Sequence, residues 1–217
     1  MLVAASPSAH PPPDREAHPA CTLLRLPAYE AAPRLIGWEV EAHGVRARIT
    51  EVEAYQGQQD RACHAARGRT ARTAVLYARA GTLYVYRCYG MHWMLNLVCD
   101  RDGEPAAVLV RSVEIISGGP VARARRALSD AVPLRDGRTI ANGPGKVCQA
   151  LALDGGQHGV HMHDRACALT LHPPQGPVGA LARSARIGVD YAGPRWSRRR
   201  WRWWLRGFPV AEARTPG

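Results

Sequence analysis

Between Val45 and Tyr55 the chain reads Val-Arg-Ala-Arg-Ile-Thr-Glu-Val-Glu-Ala-Tyr, with Val45, Ala47 and Ile49 alternating with Arg46, Arg48 and Thr50. Period-two alternation marks a strand with one face on a core and the other toward water. It commits the chain to a sheet of the half-solvated kind, which is characteristically antiparallel. Continued at the same period, Glu51, Glu53 and Tyr55 fall on the face of Val45, Ala47 and Ile49. A face that is apolar for three positions and then carries two carboxylates is either entering a pocket or emerging into water, and the pattern alone does not choose.

Other elements are short. A helix is expected over Pro27 to Leu35. Two β-rich runs, Thr82 to Cys88 and His92 to Cys99, are separated by Tyr89-Gly90-Met91, which is hairpin spacing with a glycine available for positive φ. Further strands are expected over Ala106 to Arg111 and Ala166 to Leu171, and a helix over Pro120 to Ser129. Asn142-Gly-Pro-Gly-Lys reads as a turn feeding a short helix. Residues 62–79 read as a loop followed by a short helix. There is no β-α-β rhythm, which argues against a doubly wound sheet. The expected fold is a single α+β domain with a curved, mainly antiparallel sheet, short flanking helices and a protruding hairpin. Residues 1–20, rich in Pro, Ala, Ser and His, are expected to be a disordered tail, leaving 21–217 as the domain.

The net charge is +11, and Lys146 is the one lysine among 29 basic residues. An arginine excess of this size suits a polyanionic partner, nucleic acid before an anionic membrane. Four arginines (Arg67, Arg69, Arg72 and Arg79) lie in residues 62–79 with no carboxylate among them, and eight lie between Arg183 and Phe208 against one acid, Asp190. In the second block Trp201, Trp203 and Leu205 alternate with Arg202, Trp204 and Arg206. This interleaving suits nucleic acid by charge and stacking, although Trp201 and Trp203 are better candidates for core. No apolar run reaches the length of a membrane span, and the start lacks the layout of a signal peptide, so a cytoplasmic, nucleoid-associated monomer is expected. The six cysteines show no metal-ligand spacing and read as reduced thiols. His158, His161 and His163 beside Asp164 lack a second ligand cluster, so no metal is expected there.

A series of motifs carries a resemblance: Val52-Glu-Ala-Tyr55 followed by Cys63-His64, Gly81-Thr-Leu-Tyr-Val-Tyr86, Tyr89-Gly-Met91, Asn96, Val108-Leu-Val-Arg111, Gly143-Pro-Gly-Lys-Val-Cys-Gln-Ala-Leu151 and Ala185-Arg-Ile-Gly-Val-Asp-Tyr-Ala-Gly193. In order and spacing this series resembles the methylpurine (alkyladenine) DNA glycosylases. The resemblance implies double-stranded DNA with damaged purines as partner, no metal and no organic cofactor. It implies Glu53 as the carboxylate that activates water, with Arg111 helping to hold that water. Tyr55, His64 and Tyr86 would sandwich a flipped base in a pocket shared with Asn96 and Leu109. Tyr89 would be the wedge that replaces the base, with Met91 and His92 beside it in the minor groove. Arg67, Arg69, Arg72, Lys146, Arg198 and Arg202 are candidates for the DNA backbone. Val52, Cys63 and His92 depart from residues common in that family, with the side chain of Val52 expected to face away from Glu53. The resemblance implies 3-methyladenine and 7-methylguanine as substrates and leaves ethenoadenine and hypoxanthine open.

The chemistry of the residues fits those roles. Removing a base from the stack costs about a few kcal/mol, and an aromatic ring that takes its place returns roughly 1–3 kcal/mol. An alkylated purine is cationic, attracts aromatic faces and leaves readily, so one carboxylate can be sufficient as base and as stabiliser of the sugar cation. A lyase mechanism needs an amine nucleophile, and Lys146 is the one side-chain amine available. Two rival readings are a DNA-binding module without activity and a carbohydrate hydrolase pairing Glu51 with Glu53. The first sits poorly with Glu53 and Arg111 together, the second with the charge.

Overall fold

Residues 18–128 and 137–210 are described by a computed structural model. Its centre is an antiparallel pair of long strands, β2 (Val45–Gln56) and β5 (Ala106–Ser117). β5 pairs onward with β4 (His92–Val98), which pairs with β3 (Leu83–Cys88); β2 pairs with β1 (Glu39–Ala42), and β1 with β7 (Thr170–His172). Three short strands complete the sheet: β6 (Ala141–Asn142) on β5, β9 (Arg202–Leu205) on β2, and β8 (Leu181–Ser184) on β9. Each of these pairings is antiparallel. The single α+β domain expected from the sequence is the one observed.

The face assignment of Glu51, Glu53 and Tyr55 is corrected by the structure. Val45, Ala47 and Ile49 enter the main core, but so do Val52 and Ala54. The phase changes because β2 and β5 are irregular at the same level: Ile49 opposes Val113, Glu51 opposes Ser112, and Val52 opposes Val110, so Thr50 and Arg111 are each an extra residue. A β-bulge turns the residues beyond it to the other side of the sheet. Two matched bulges turn both strands together, and Val113 and Ile115 share the core with Val110 and Val108 on the far side of the break. Val52 therefore faces away from Glu53, as expected. The break is also where the partners change: β2 pairs with β1 before it and β9 after it, and β5 with β4 on one side and β6 on the other.

One face of the sheet is covered by helices. α2 (Ala28–Leu35) buries Ala28, Ala31, Ala32 and Leu35, an i, i+3, i+4, i+7 stripe. α4 (Pro144–Leu151), with proline in its first turn as the sequence suggested, buries Val147, Cys148, Ala150 and Leu151. Both sets belong to the main core. The other face carries a smaller cluster that includes Cys63, Ala65, Leu76 and Tyr84.

Three expectations are revised. Residues 62–79 hold two 3-10 turns, His64–Arg67 and Ala74–Tyr77, because Thr70 and Thr73 exchange side-chain hydrogen bonds with the backbone between them. The strand expected over Ala166 to Leu171 is confined to β7; the amide of Ala168 is taken by the Gln157 side chain instead of a neighbouring strand. Pro19 and Ala20 belong to a short helix, α1 (Pro19–Leu24), with Ala20 fully buried, so these two residues are part of the fold; residues 1–17 of the expected tail lie outside those described. The helix expected over Pro120 to Ser129 is α3 (Gly119–Arg125), and Ser129 lies outside the described residues. Among the described residues no helix is long and apolar enough to cross a membrane.

Gly118 fixes where β5 hands over to α3. Its φ is +74°, and a Cβ there would lie 2.2 Å from the Gly44 carbonyl oxygen in the turn between β1 and β2. Gly118→Ala should destabilise the domain by more than about 2 kcal/mol, the left-handed backbone alone costing about 1–2 kcal/mol. Urea unfolding at constant m would measure it, and an unchanged midpoint would contradict the close approach.

Candidate active site

Beyond the paired bulges, β2 and β5 present Glu51, Glu53, Tyr55, Leu109, Arg111 and Ser112 on the face opposite the main core. Glu51 and Glu53 are 1% and 0% exposed. Two buried carboxylates need partners of opposite charge. Glu51 accepts Arg111 Nε (3.0 Å) and Arg202 Nε (2.6 Å) on Oε1 and the Ser112 hydroxyl (3.1 Å) on Oε2. Glu53 accepts Arg111 Nη1 (3.2 Å) and the Tyr55 hydroxyl (2.8 Å) on Oε2, and the Ile187 amide (2.8 Å) on Oε1. Arg111 thus bridges both acids. Burial alone would lower its pKa, but the Glu53 and Glu51 charges outweigh it and hold the guanidinium firmly ionised. The Tyr55 hydroxyl is pushed well above its ordinary pKa by burial and then by the Glu53 charge, so it stays a donor.

In front of this network lies a cavity of about 500 Å³. Tyr55, His64, Tyr86, Asn96, Leu109, Arg111 and Tyr89 all line it. The rings of His64 and Tyr86 meet edge to face at 4.7 Å, and among the described residues Tyr55 makes no ring contact with either. Asn96, buried, donates its amide nitrogen to the Tyr84 carbonyl (3.0 Å), which leaves its side-chain oxygen available to the cavity. His64 Nδ1 lies 2.8 Å from the Tyr84 hydroxyl.

Tyr89 stands at the turn between β3 and β4 with φ +50° and 88% of its surface exposed. Both Tyr89 and Gly90 take positive φ, and the Met91 amide bonds the Cys88 carbonyl, so this is the primed turn that suits a twisted hairpin. The sequence suggested only the glycine in that conformation. Met91 is exposed and His92 half-buried against Gly145.

The basic candidates separate. Arg67, Arg69, Arg72 and Arg198 are exposed, and Arg72 also lines the cavity. Lys146 is half-buried and donates to the Asn142 side chain (2.8 Å). Arg202, expected at the DNA backbone, is 9% exposed and bonded to Glu51. Its register explains the difference: it sits opposite Glu53 on β9 and shares the face of the buried acids.

Several residues escaped the sequence reading. Arg186 donates to Asp60 through both terminal nitrogens, and also to the Ala54 and Trp196 carbonyls. Its guanidinium lies over the rings of Tyr55 (4.9 Å) and Trp201 (5.2 Å). This ion pair ties the loop before His64 to the segment whose next amide, Ile187, meets Glu53. Tyr191, at the cavity mouth, donates its hydroxyl to Ala62 O (3.1 Å) across the same two segments. The motif Ala185 to Gly193 was the available signal, but Arg186 passed as one more charge in a basic block. The three histidines near Asp164 have structural contacts, His161 with Ala80 O at 3.0 Å, and among the described residues no group of three possible ligands could hold a metal.

Burial, then Arg72 and Arg67, lowers the His64 pKa to about 4, against about 6.5 in an unfolded chain. Between those values the unfolded chain takes up a proton that the folded one refuses, so stability falls as pH drops through that window and the effect vanishes above it. NMR titration should find the His64 ring neutral down to about pH 4; a midpoint near 6.5 would mean the ring is open to water.

Comparisons with known proteins find relatives along most of the chain. Residues 22–209 match the sequence profile of the methylpurine-DNA glycosylase family. A DNA-3-methyladenine glycosylase of Arabidopsis thaliana is 39% identical over 190 residues, covering 88% of this chain and 72% of that protein. Proteins provisionally named 3-methyladenine DNA glycosylases from Myxococcus xanthus (42% identical, covering 88% of this chain and 92% of that protein) and Methanocella arvoryzae (39%, covering 88% and 94%) are similar along nearly their whole length. The chain belongs to the methylpurine-DNA glycosylase family.

Proposed function

We propose that this member of the family is a monofunctional glycosylase that flips alkylated purines, 3-methyladenine and 7-methylguanine among them, out of duplex DNA and hydrolyses the N-glycosidic bond with water activated by Glu53. The observation that carries this reading is the unequal commitment of the two buried acids. Each accepts three hydrogen bonds, but Glu51 is paired with two guanidinium groups, Arg111 and Arg202, beside Ser112, whereas Glu53 has Arg111 alone with the Ile187 amide and meets the aromatic cavity through Tyr55. One carboxylate serves the reaction and the other fixes the arginine beside it. This arrangement also disfavours a paired-acid carbohydrate hydrolase, because Glu51 is already engaged by two guanidinium groups.

The water oxygen attacks C1′ from the Glu53 side as the C1′–N bond breaks. The bonding pair leaves with the base, whose positive charge it neutralises, and Glu53 takes the water proton. Arg111 orients both the water and the Glu53 carboxylate that accepts its proton. Tyr55 on one side and His64 with Tyr86 on the other hold the base, and Asn96 and Leu109 border it. Tyr89 fills the vacated stack, with Met91 and His92 beside it. A positive φ at a tyrosine is strained and persists only where the surroundings enforce it; here it points the ring into solvent, where a duplex can reach it. Arg67, Arg69 and Arg198 offer exposed guanidinium groups to the phosphates. Lys146 is tied to Asn142, which supports water over an amine as nucleophile.

Glu53→Gln should lower single-turnover base release by about 10²- to 10⁴-fold and leave the Kd for lesion DNA within about tenfold, read with a 7-methylguanine duplex. Residual release within tenfold of wild type would remove Glu53 from the mechanism. Tyr89→Ser should keep its melting temperature and weaken lesion binding by roughly 1–3 kcal/mol; an unchanged affinity would mean another group fills the stack.

A further inference from the structure

Tyr55 and Tyr86, the two tyrosines read above as holding the base, each carry a guanidinium against the ring, but the two guanidinium groups differ in their neutralisation. Arg186, 4.9 Å from the Tyr55 centroid, is held by Asp60 in a pair buried on both sides, so this ring faces a neutral unit. Arg72, 5.3 Å from the Tyr86 centroid, has no carboxylate within salt-bridge distance among the described residues. Among the described residues three arginines line the cavity (Arg72, Arg87 and Arg111) and no carboxylate does. The charge of Arg111 is met by Glu51 and Glu53 behind the wall. Arg87 is directed onto Trp93, 5.6 Å away. His64, neutral above about pH 4, adds nothing of either sign. Arg72 is therefore the uncompensated charge closest to the rings that would hold a base.

A cation already over one face of an aromatic ring drains the electron density that a second cation would use on the other. It also repels that cation directly through space.

We propose that Arg72 is a specificity-determining residue that sets the charge preference of the cavity, disfavouring a cationic base relative to a neutral base of the same shape. The proposal rests on the reading above that the cavity holds a flipped purine between Tyr55 and Tyr86. In consequence, cationic purines are selected through their ease of departure at the chemical step and not through tighter binding. The neutral damaged purine is the ligand class that the binding step admits on better terms.

The test uses the whole chain and two duplexes that differ only in charge at the lesion, one holding 7-methylguanine and one its neutral isostere 7-methyl-7-deazaguanine. Both carry fluorine at C2′ of that nucleotide, which blocks departure of the base by destabilising the sugar cation, so equilibrium Kd values are obtained with active enzyme and do not depend on the assignment of Glu53. Wild type should bind the neutral duplex at least as tightly as the cationic one. Arg72→Gln, a substitution at an exposed position, should shift the ratio of the two Kd values by roughly two- to fivefold toward the cation. Arg69→Gln is the control. Arg69 is exposed on the same loop but stacks on Tyr77 (5.5 Å) outside the cavity lining, and the variant should weaken both duplexes equally. A ratio unmoved in Arg72→Gln, with both affinities reduced alike, would overturn the proposal and leave Arg72 as a phosphate contact. Failure of wild type to prefer either lesion duplex over undamaged DNA would instead refute the flipped-base reading.

Discussion

Arg111 is the interaction on which this structure turns. One guanidinium bonds two buried carboxylates that stand two residues apart on β2, and without it Glu53, which pairs with no other guanidinium among the described residues, would be left an uncompensated charge, a defect of about 3–5 kcal/mol in a protein interior. The same side chain is the extra residue of the bulge in β5. Backbone irregularity and charge compensation are thus one feature: the bulge aims Arg111 at the acids, and the acids justify burying Arg111. Arg202 on β9 completes the arrangement from the third strand, so the position of Glu53 depends on three strands at once.

The cavity in front is assembled from segments with little regular structure, and they are held by polar contacts. Asp60 and Arg186 join the loop leading to His64 with the segment carrying Ile187, and Tyr191 spans the same two segments with its hydroxyl. A buried pair of this kind is a weak source of net stability but a strict one in geometry, because either charge left alone is costly. The ring of Tyr55 lies against that pair and its hydroxyl against Glu53. A wall of the cavity and a contact to the acid are therefore supplied by one side chain whose position is set from behind.

Much of this was legible in the sequence, and the failures share a cause. The alternation of Val45, Ala47 and Ile49 identified β2, the stripe of α2 lay where Pro27 to Leu35 suggested, and the order of motifs identified the residues that line the cavity. Extending the alternation through Glu51, Glu53 and Tyr55 put those side chains on the wrong face, because a bulge leaves no mark in the residue types of β2 alone; it is defined by what β5 does sixty residues later. Arg202 and Arg186 were indistinguishable from their exposed neighbours in a basic run, since their partners Glu51 and Asp60 are 151 and 126 positions away. Local pattern reports the face of a residue only while the register is regular, and charge density reports a surface only while every charge is exposed.

The paired bulges also restrict how such a chain can vary in length. From Ile49 to Val52 one strand advances three residues, and from Val113 to Val110 the other does the same, so the offset of the ladder is equal on both sides of the break. A deletion of one residue at either bulge would leave the other unmatched, so that the two strands would advance by different numbers of residues across the break. Removal of both extra residues would restore a continuous ladder at this level but would take Arg111 itself away and strip Glu53 of that guanidinium. Within this stretch the lengths of the two strands behave as one inherited character: substitutions can accumulate singly, whereas insertions and deletions would have to arise in two distant places together.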